Sequence, residues 1–547
     1  MTLPVLRLLN PSAIAADAAA KSSYTAFAVI FTDVANVTAL VDQHPFLAPA
    51  VQAHNADPTV ASEPRLVPST NVAGGKLVLS PTGSLDDDTD DIRKYYNACR
   101  AAAQLATKAG ARSVAFMFVD PPHGLAGYEQ WFEVGVLGIL AASYVTLVVR
   151  EHQEKTGSLV GDNFQEVGLY VHDACDNSLL EKSLQTILAI EKGRRIHLDM
   201  GYGGPERMTP QRCAQYIQGA FANVNNIKMT VIDDTEVIHR EYPLMHAVAR
   251  CSIAVPRHRP CVVRLEYRSP DPSQLKEHFY LVGKGVTFDT GGADVKANGV
   301  MRGMSRDKLG ATSVAGLMMT VASMAPTHCN VTAELAFVRN SIGADSYLCD
   351  EVIYSRAGKR VLVGNTDAEG RLIMTDLLCQ CREQVIAQRA RGSQLQYHLS
   401  TVATLTGHVI RAYGHYGAIV PNGPATKSHL AQRIHDAGRR WGDPFEISTM
   451  RSEDYAMVAP GSDREDACQS NDLASSATPR GHMFPAAFLI VSSGLKAHSN
   501  AAAPQDQINY THLDIAGSAE EAGAQGFSLP SLSGNPVPSL AATILNL

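Results

Sequence analysis

The chain has 547 residues, of which 45% are hydrophobic and 18% charged, and its formal charge is −7 at pH 7. This composition is typical of a globular protein that buries a sizeable core, and the length predicts two domains. The negative charge, with no basic stripe along the sequence, argues against nucleic acid as a partner.

The cysteines and the N-terminus predict the cellular compartment. Ten cysteines at irregular spacing indicate reduced thiols. Arg7 is the only basic residue before Asp17, so neither a secretory nor a mitochondrial signal is predicted. The uncharged run 134–149 is short for a membrane span and favours a buried helix followed by a strand. We therefore expect a cytoplasmic protein that has no membrane partner.

The first part of the chain predicts an α/β domain over residues 1–200. The acidic run 86–91 favours the start of a helix that covers 92–109. The sequence Gly-Tyr-Gly-Gly-Pro at 201–205 predicts a linker. Three apolar runs predict buried strands, at 24–31, 113–119 and 145–149.

Residues 201–547 predict a second, larger α/β domain. Thr209-Pro210 is typical of a helix N-cap followed by proline at the first helical position. Strand-like runs then alternate with helical stretches, at 228–232, 261–267, 279–286, 331–338 and 397–404. This alternation favours a mixed or parallel central sheet with helices on both faces.

A glycine-rich string, VGKGVTFDTGG at 282–292, follows the apolar start of one of these strands. Glycines allow positive φ and close approach of the backbone to a ligand. Polar groups at a strand end before a glycine turn are typical of sites on α/β scaffolds. This region of the chain contributes four charged candidates, Lys284, Asp289, Lys296 and Asp307.

A second string, NTDAEGR at 365–371, places Asp367, Glu369 and Arg371 at alternate positions. In an extended segment these three side chains would share one face. Neighbouring carboxylates repel each other unless they are protonated or bridged by cations, and oxygen ligands suit hard or borderline divalent ions. Together with Asp307, the two strings offer four carboxylates, which is more than one ion usually needs, so they predict a two-metal hydrolytic site.

Each residue also has an ordinary interpretation. Either lysine alone would be a surface lysine, and Asp307 could cap the helix that the sequence predicts over 309–324. The carboxylates of 365–371 could pair with Arg371 in a solvated turn. The joint pattern, in this order and beside two glycine turns, favours the site.

The motifs resemble those of the leucyl aminopeptidase family, also called the cytosol aminopeptidase family, of metallopeptidases. The sequence of residues 338–360 is more similar to that of the animal and protist branch than to the commonest family sequence. The matching motifs are VGKGVTFDTGG at 282–292, Lys296, MSRD at 304–307, NTDAEGR at 365–371, ATLTG at 403–407 and HLDIAG at 512–517. The resemblance implies a two-domain fold and a homohexamer built from paired trimers.

The resemblance also implies the metal ligands. Asp289 and Glu369 would bridge two divalent ions, which would be Zn²⁺, Mn²⁺ or Mg²⁺. Lys284 and Asp307 would complete the tighter ion site, and Asp367 would complete the more exchangeable one. Lysine is an unusual ligand, because it must lose its proton to bind a metal.

The remaining implied roles concern catalysis and substrate. Lys296 would polarise the scissile carbonyl and stabilise the oxyanion, and Arg371 would hold a bicarbonate ion that acts as general base. Phe484-Pro485 replaces the small residues of the family's pocket helix, within 481–489, and is expected to reshape the pocket. The substrate pocket would be lined by Met304, Thr404, Leu405 and Gly407.

The function implied is that of an aminopeptidase acting on peptides, with Leu-like N-terminal residues preferred. Two alternatives stay open: a dipeptidase that uses the same site, and a catalytically weak homologue with a structural or assembly role. A two-metal phosphoesterase is disfavoured, because Lys284 as a ligand and Arg371 beside Glu369 fit the peptidase pattern.

Overall fold

The computed structural model describes residues 3–10, 24–158, 161–173, 177–297, 300–471, 473, 477–523 and 528–547. The chain divides into two compact units. The first contains residues 1–191 and 439–442, and the second contains 192–438 and 443–547. We retain 1–200 and 201–547 as proposed domain limits. All nine cysteines in the described residues are free thiols.

The first unit is built on a six-stranded sheet in the order β1-β6-β5-β2-β4-β3. Only the β3–β4 pair is antiparallel. The strands are β1 (Val5–Leu8), β2 (Ala26–Phe31), β3 (Arg65–Pro68), β4 (Lys76–Pro81), β5 (Ser113–Phe118) and β6 (Glu166–Val171). The helices are α1 (Val34–Ala39), α2 (Ala48–Ala56), α3 (Arg93–Lys108), α4 (Trp131–Ser143), α5 (Leu147–Thr156) and the start of α6 (Asn177–Tyr202).

The predicted strands 24–31 and 113–119 and the predicted helix 92–109 are confirmed, but the predicted strand 145–149 is wrong. Its residues enter α5, whose N-cap is Thr146. Val148 and Val149 are about half exposed, so the apolar run does not mark a buried strand. Among the described residues, no single helix is long and apolar enough to cross a membrane. The pair α4 and α5, bent by 44°, meets the length and composition criteria together.

The predicted linker 201–205 is wrong at its first two residues, because α6 continues to Tyr202. A Cβ atom on Gly201 would lie 2.5 Å from a methyl carbon of Leu532 and 2.7 Å from one of Leu309. This glycine therefore permits close packing rather than a flexible connection.

The second unit contains an eight-stranded sheet in the order β15-β14-β17-β13-β9-β10-β8-β7. Four central strands run parallel to one another, the β14–β17, β8–β10 and β7–β8 pairs beside them are antiparallel, and β15 is parallel to β14. The strands are β7 (Ile227–Ile232), β8 (Cys261–Tyr267), β9 (Glu277–Asp289), β10 (Cys329–Asn340), β13 (Gln396–Ala403), β14 (Gly417–Pro421), β15 (Phe445–Ile447) and β17 (Asn509–Asp514). A separate small sheet consists of β11 (Val352–Tyr354), β12 (Arg360–Leu362) and β16 (Ala467–Cys468).

Eleven α-helices begin in the described residues of the second unit, and several of them pack on the eight-stranded sheet. They are α7 (Pro210–Phe221), α8 (Thr235–Glu241), α9 (Pro243–Ala249), α10 (Leu309–Met324), α11 (Glu369–Ala390), α12 (Gly407–Tyr413), α13 (Gly423–Lys427), α14 (Leu430–Arg440), α15 (Ser452–Ala456), α16 (Met483–Ser492) and α17 (Val537–Leu545). The helix predicted at Thr209-Pro210, the helix predicted over 309–324, all five strands predicted in this unit and the α/β fold class are confirmed.

Alternation along β9 places helices against both faces of the sheet. Val282 and Val286 belong to a buried apolar cluster that includes residues of α9, α11 and α16. The intervening Gly283 faces α10, where an added Cβ would lie 2.5 Å from the Cα atom of Ala311. The glycines of the string at 282–292 thus allow α10 to approach β9 closely. This approach places Asp307, just before α10, near the end of β9.

Candidate active site

A cavity of about 570 Å³ lies in the second unit, where parallel strands end. Asp289 ends β9, Thr404 follows β13, and Glu369 begins α11. In an α/β sheet, the carboxyl ends of the strands are the usual place for a ligand. The cavity is lined by all eleven residues that the sequence singled out: Lys284, Asp289, Lys296, Met304, Asp307, Asp367, Glu369, Arg371, Thr404, Leu405 and Gly407.

One buried lysine lies between two carboxylates. Lys284 Nζ is 2.8 Å from Asp307 Oδ1 and 3.0 Å from Glu369 Oε1, and it donates to the carbonyl oxygen of Thr404 at 3.1 Å. Burial alone would lower the pKa of Lys284, but Asp307 and Glu369 outweigh burial and raise it above its ordinary value. Between these carboxylates Lys284 is therefore an ammonium that neutralises the charge around it.

A second lysine bridges the other two carboxylates. Lys296 Nζ is 2.9 Å from Asp289 Oδ2 and also forms an ion pair with Asp367 Oδ1. Burial would lower the pKa of Lys296, but Asp289, Glu369 and Asp367 together raise it. Burial also raises the pKa of Asp367 to about 7, and the neighbouring carboxylates act in the same direction. The four acids thus share two cations in a largely buried space.

The donor set fits divalent ions. Oxygen atoms of Asp289, Asp307 and Glu369 lie within 4.8 Å of one another. Asp307 Oδ2 and Glu369 Oε2 are buried and have no hydrogen-bond partner among the described residues. Burial raises the pKa of Asp307 well above its ordinary value, and Lys284 offsets this only in part. Buried carboxylate oxygens without donors are costly unless a cation meets them, and hard oxygen ligands suit Mg²⁺, Mn²⁺ or Zn²⁺.

Two local expectations about these residues are wrong. Asp367, Glu369 and Arg371 do not lie on one extended segment, since Glu369 and Arg371 belong to the first turn of α11 while Asp367 precedes it. They still line one cavity, because the chain turns directly before the helix. Asp307 does not cap α10 either: the N-cap position is Lys308, which makes no side-chain capping bond, and the Asp307 carboxylate faces Lys284.

Three residues that sequence reasoning missed hold the two ligand strings together: Asn340 and Tyr347, which are buried, and Asp294, which is exposed. Asn340 Nδ2 donates to Asp289 Oδ1 at 2.8 Å and to the carbonyl oxygen of Thr366 at 3.0 Å. The same carbonyl accepts a hydrogen bond from the Tyr347 hydroxyl at 2.7 Å. The backbone N–H of Thr366 donates to Asp294 Oδ2 at 2.7 Å. No spacing in the sequence connects these residues, because each contact joins distant parts of the chain.

Arg371 is positioned differently from the two lysines. Its Nη1 donates to the carbonyl oxygen of Gln469 at 2.8 Å, and its guanidinium carbon lies 4.8 Å from the ring centroid of Phe484. Arg371 Nε is buried and has no hydrogen-bond partner among the described residues. Burial lowers the pKa of Arg371 to about 10, although Glu369 and Asp514 oppose that shift. A buried guanidinium with an open donor, charged at neutral pH, suits a small anion.

The wall of the cavity above the carboxylates is partly apolar. Met304 lies in a 3₁₀ turn (Met304–Arg306), Ile410 lies on α12, and Phe484 lies in the first turn of α16, where the following proline is tolerated. Together with Leu405, these side chains line the same cavity as the charged residues. The expectation that Phe484 shapes this pocket agrees with its place in the wall.

The sequence is similar to that of known aminopeptidases. A model of the cytosol aminopeptidase family, catalytic domain, matches residues 198–541. A Caenorhabditis elegans protein that is named as an aminopeptidase is 38% identical over 521 residues, which cover 93% of this chain and 94% of that relative.

Two solved structures share the fold. Apo leucyl aminopeptidase from Trypanosoma cruzi has a TM-score of 0.74 at 19% identity, covering 99% of this chain and 97% of that one. The bottromycin maturation enzyme BotP, solved in complex with Mn, has a TM-score of 0.71 at 20% identity, covering 95% of this chain and 99% of that one. The family model and the 38% identical relative together show that the chain belongs to the cytosol aminopeptidase family, whose members hydrolyse peptides.

Proposed function

We propose that the protein is a two-metal aminopeptidase that removes the N-terminal residue of peptides, Leu-like residues best. The observation that supports this most is the buried cluster of four carboxylates, with Lys284 and Lys296 between them, at the ends of parallel strands. The family assignment gives the cluster its reaction class.

The residues present would hold two ions. Lys284, Asp289, Asp307 and Glu369 would form one site, and Asp367 would complete the other together with the shared carboxylates. Divalent ions bound there supply Lewis acidity and lower the pKa of water. Lys284 must release its proton to become a ligand, so we expect metal binding to release protons from this cluster.

Lys296 is proposed as the electrophile. Its ammonium lies at the edge of the carboxylate cluster, and its neighbours keep it charged. An ammonium held in a largely buried site donates to the scissile carbonyl oxygen and stabilises the negative charge that develops there. The ion pairs with Asp289 and Asp367 hold the Lys296 side chain in the cavity before substrate arrives.

Arg371 is proposed to hold bicarbonate. The open Nε atom and the fixed Nη1 atom leave the guanidinium able to bind a small planar anion. Bicarbonate held there supplies a general base. The ring of Phe484 covers one face of the guanidinium, and both side chains line the cavity from which we propose that the anion enters.

The substrate preference follows from the two halves of the cavity. The carboxylate floor suits the free α-amine of a peptide, and the apolar wall of Met304, Leu405, Ile410 and Phe484 suits an aliphatic side chain. An internal peptide bond has no free amine to offer, so we expect exopeptidase action only.

The proposal includes the oligomeric state and the compartment. We propose a cytoplasmic homohexamer, whose mass would be six times the 58.7 kDa of one chain.

Product identification tests the proposal. Metal-stripped protein reloaded with Mn²⁺ is incubated with Leu-Gly-Phe and with N-acetyl-Leu-Gly-Phe, and the products are identified by mass spectrometry. We expect free leucine from the first peptide and no cleavage of the second. Equal cleavage of both would contradict exopeptidase action. If folded, Mn²⁺-bound protein cleaves neither peptide, the result would favour the alternative of a catalytically weak homologue with a structural role.

A further inference from the structure

Two buried polar residues outside the carboxylate cluster hold the segment 404–407. Asp514, at the end of β17, is fully buried, and Thr406 is nearly so. The Thr406 hydroxyl donates to Asp514 Oδ2 at 2.6 Å, and the backbone N–H of Leu405 donates to Asp514 Oδ1 at 3.2 Å. The backbone N–H groups of Thr406 and Ala516 also donate to Oδ1, at 3.5 Å and 3.3 Å, which makes four hydrogen bonds to this carboxylate. The Asp514 carboxylate is therefore used to fix this segment.

The held segment contacts the proposed metal site through its first residue, Thr404. The Thr404 hydroxyl donates to Asp307 Oδ1 at 3.0 Å, and the Thr404 carbonyl oxygen accepts from Lys284 Nζ at 3.1 Å. One residue thus orients a carboxylate and a lysine that would hold the same ion. A shift of the Thr404 backbone would move both contacts together.

The Thr406 hydroxyl also anchors α12. It accepts a hydrogen bond from the backbone N–H of Val409 at 3.2 Å and so caps this helix. Ile410, one turn along α12, lines the mouth of the cavity. The Thr406 hydroxyl therefore bonds both to Asp514, which holds the segment 404–407 beside the carboxylates, and to α12, which carries part of the apolar wall.

We infer that Asp514 and Thr406 are positioning residues that set the orientation of Asp307 and Lys284 through Thr404. This inference rests on the proposed function, since it assigns Asp307 and Lys284 to a metal site. Partners that orient metal ligands without touching the ion commonly change metal affinity or activity by 10–100-fold when mutated. Among the described residues, the hydroxyl of Thr406 is the one hydrogen-bond donor to Asp514 Oδ2, so its loss leaves a buried carboxylate oxygen without a partner.

A pair of variants at Thr406 separates this role from packing. Thr406→Val keeps the shape of the side chain and removes the hydroxyl, whereas Thr406→Ser keeps the hydroxyl and removes a methyl group. Thr543→Val is the control, because Thr543 is a buried threonine on α17 whose hydroxyl bonds a backbone carbonyl away from the cavity. Circular dichroism first establishes that each full-length variant is folded.

Each protein is first stripped of metal, and Mn²⁺ is then added back for two measurements. Calorimetry gives the affinity for Mn²⁺, and hydrolysis of leucine p-nitroanilide at saturating Mn²⁺ gives kcat and KM. We expect Thr406→Val to lose about 10-fold or more in Mn²⁺ affinity and in kcat, with a smaller change in KM. Thr406→Ser and Thr543→Val should each stay within about twofold of the wild type, well inside that range.

Three results would overturn the inference. They are wild-type Mn²⁺ affinity and kcat in Thr406→Val, equal losses in the Val and Ser variants, and an equal loss in the control. If Thr406→Val does not fold, Thr404→Val removes only the bond to Asp307, and its unchanged Mn²⁺ affinity would be equally decisive. Should the wild type hydrolyse nothing, the proposed function fails, while the Mn²⁺ affinities still decide whether the positioning role holds.

Discussion

Replacing Lys284 by methionine tests whether the buried ammonium neutralises the cluster. The substitution keeps an unbranched side chain, one heavy atom shorter, and removes its charge. Lys284 Nζ lies 2.8 Å from Asp307 and 3.0 Å from Glu369. At an effective dielectric constant of about 20, each such pair attracts by about 6 kcal/mol before desolvation is subtracted. Removing one partner of a buried ion pair typically costs about 3–5 kcal/mol, which is the loss we expect at pH 8.

The pH dependence of the free energy of unfolding determines whether the loss in Lys284→Met is larger at pH 6 or at pH 8. In the wild type the raised pKa of Lys284 means that its contribution is fully present below the unfolded pKa and is lost only at higher pH, so it is constant from pH 6 to 8. In Lys284→Met the Asp307 carboxyl, whose pKa burial already raises, loses the cation that lowers it and would titrate at a still higher pKa in the folded state. The folded variant then binds a proton as the pH falls, which recovers up to about 1.4 kcal/mol per pH unit for each such proton. The loss should therefore be larger at pH 8 than at pH 6.

Urea titrations in the presence of a chelator, at pH 6 and pH 8, measure this loss. Lys427→Met is the matched control, because Lys427 is exposed on α13, and its free energy of unfolding should change by less than about 0.5 kcal/mol. A loss below about 1 kcal/mol at both pH values would refute the assignment of Lys284 as a charged partner in the metal-free state. A loss that shrinks as the pH rises would refute the sign of the argument.

Three further changes test the proposed site. Glu369→Gln should abolish turnover and lower the bound Mn²⁺ measured by mass spectrometry; full metal content would exclude Glu369 as a ligand. Lys296→Met should lower kcat by about 10²–10³-fold while Mn²⁺ stays bound; an unchanged kcat would remove Lys296 from the mechanism. Phe484→Ala should raise kcat/KM for Trp-Gly relative to Leu-Gly by at least about 10-fold, because the apolar wall loses a ring; an unchanged ratio would exclude Phe484 from the pocket.

The charged part of the site could be predicted because its signals are local. Lys284 and Asp289 lie on one glycine-rich string, and Asp367, Glu369 and Arg371 lie on another. Strand ends in an α/β sheet converge, so two such strings belong together. Their precise backbone was not predictable: the second string turns into α11 at Glu369, and alternation along a strand does not describe a helix start.

The supporting residues could not be predicted, since each acts across a long sequence separation. Asn340 bonds both Asp289 and the carbonyl of Thr366, and only pairing of β10 with β9 brings it there. Asp514 was visible within a motif, but its bonds to Leu405 and Thr406 depend on the parallel pairing of β17 with β13. The error at 145–149 has a similar origin, because an apolar run alone does not show whether its residues become buried.

A Mn²⁺ titration of metal-stripped protein tests the central claim most directly. Bound Mn²⁺ per chain and the rate of leucine p-nitroanilide hydrolysis are measured on the same samples. The two-metal account predicts no activity without metal, and a rate that continues to rise until two ions are bound per chain. Full activity in the stripped protein, or a rate that reaches its maximum with one ion per chain, would contradict it.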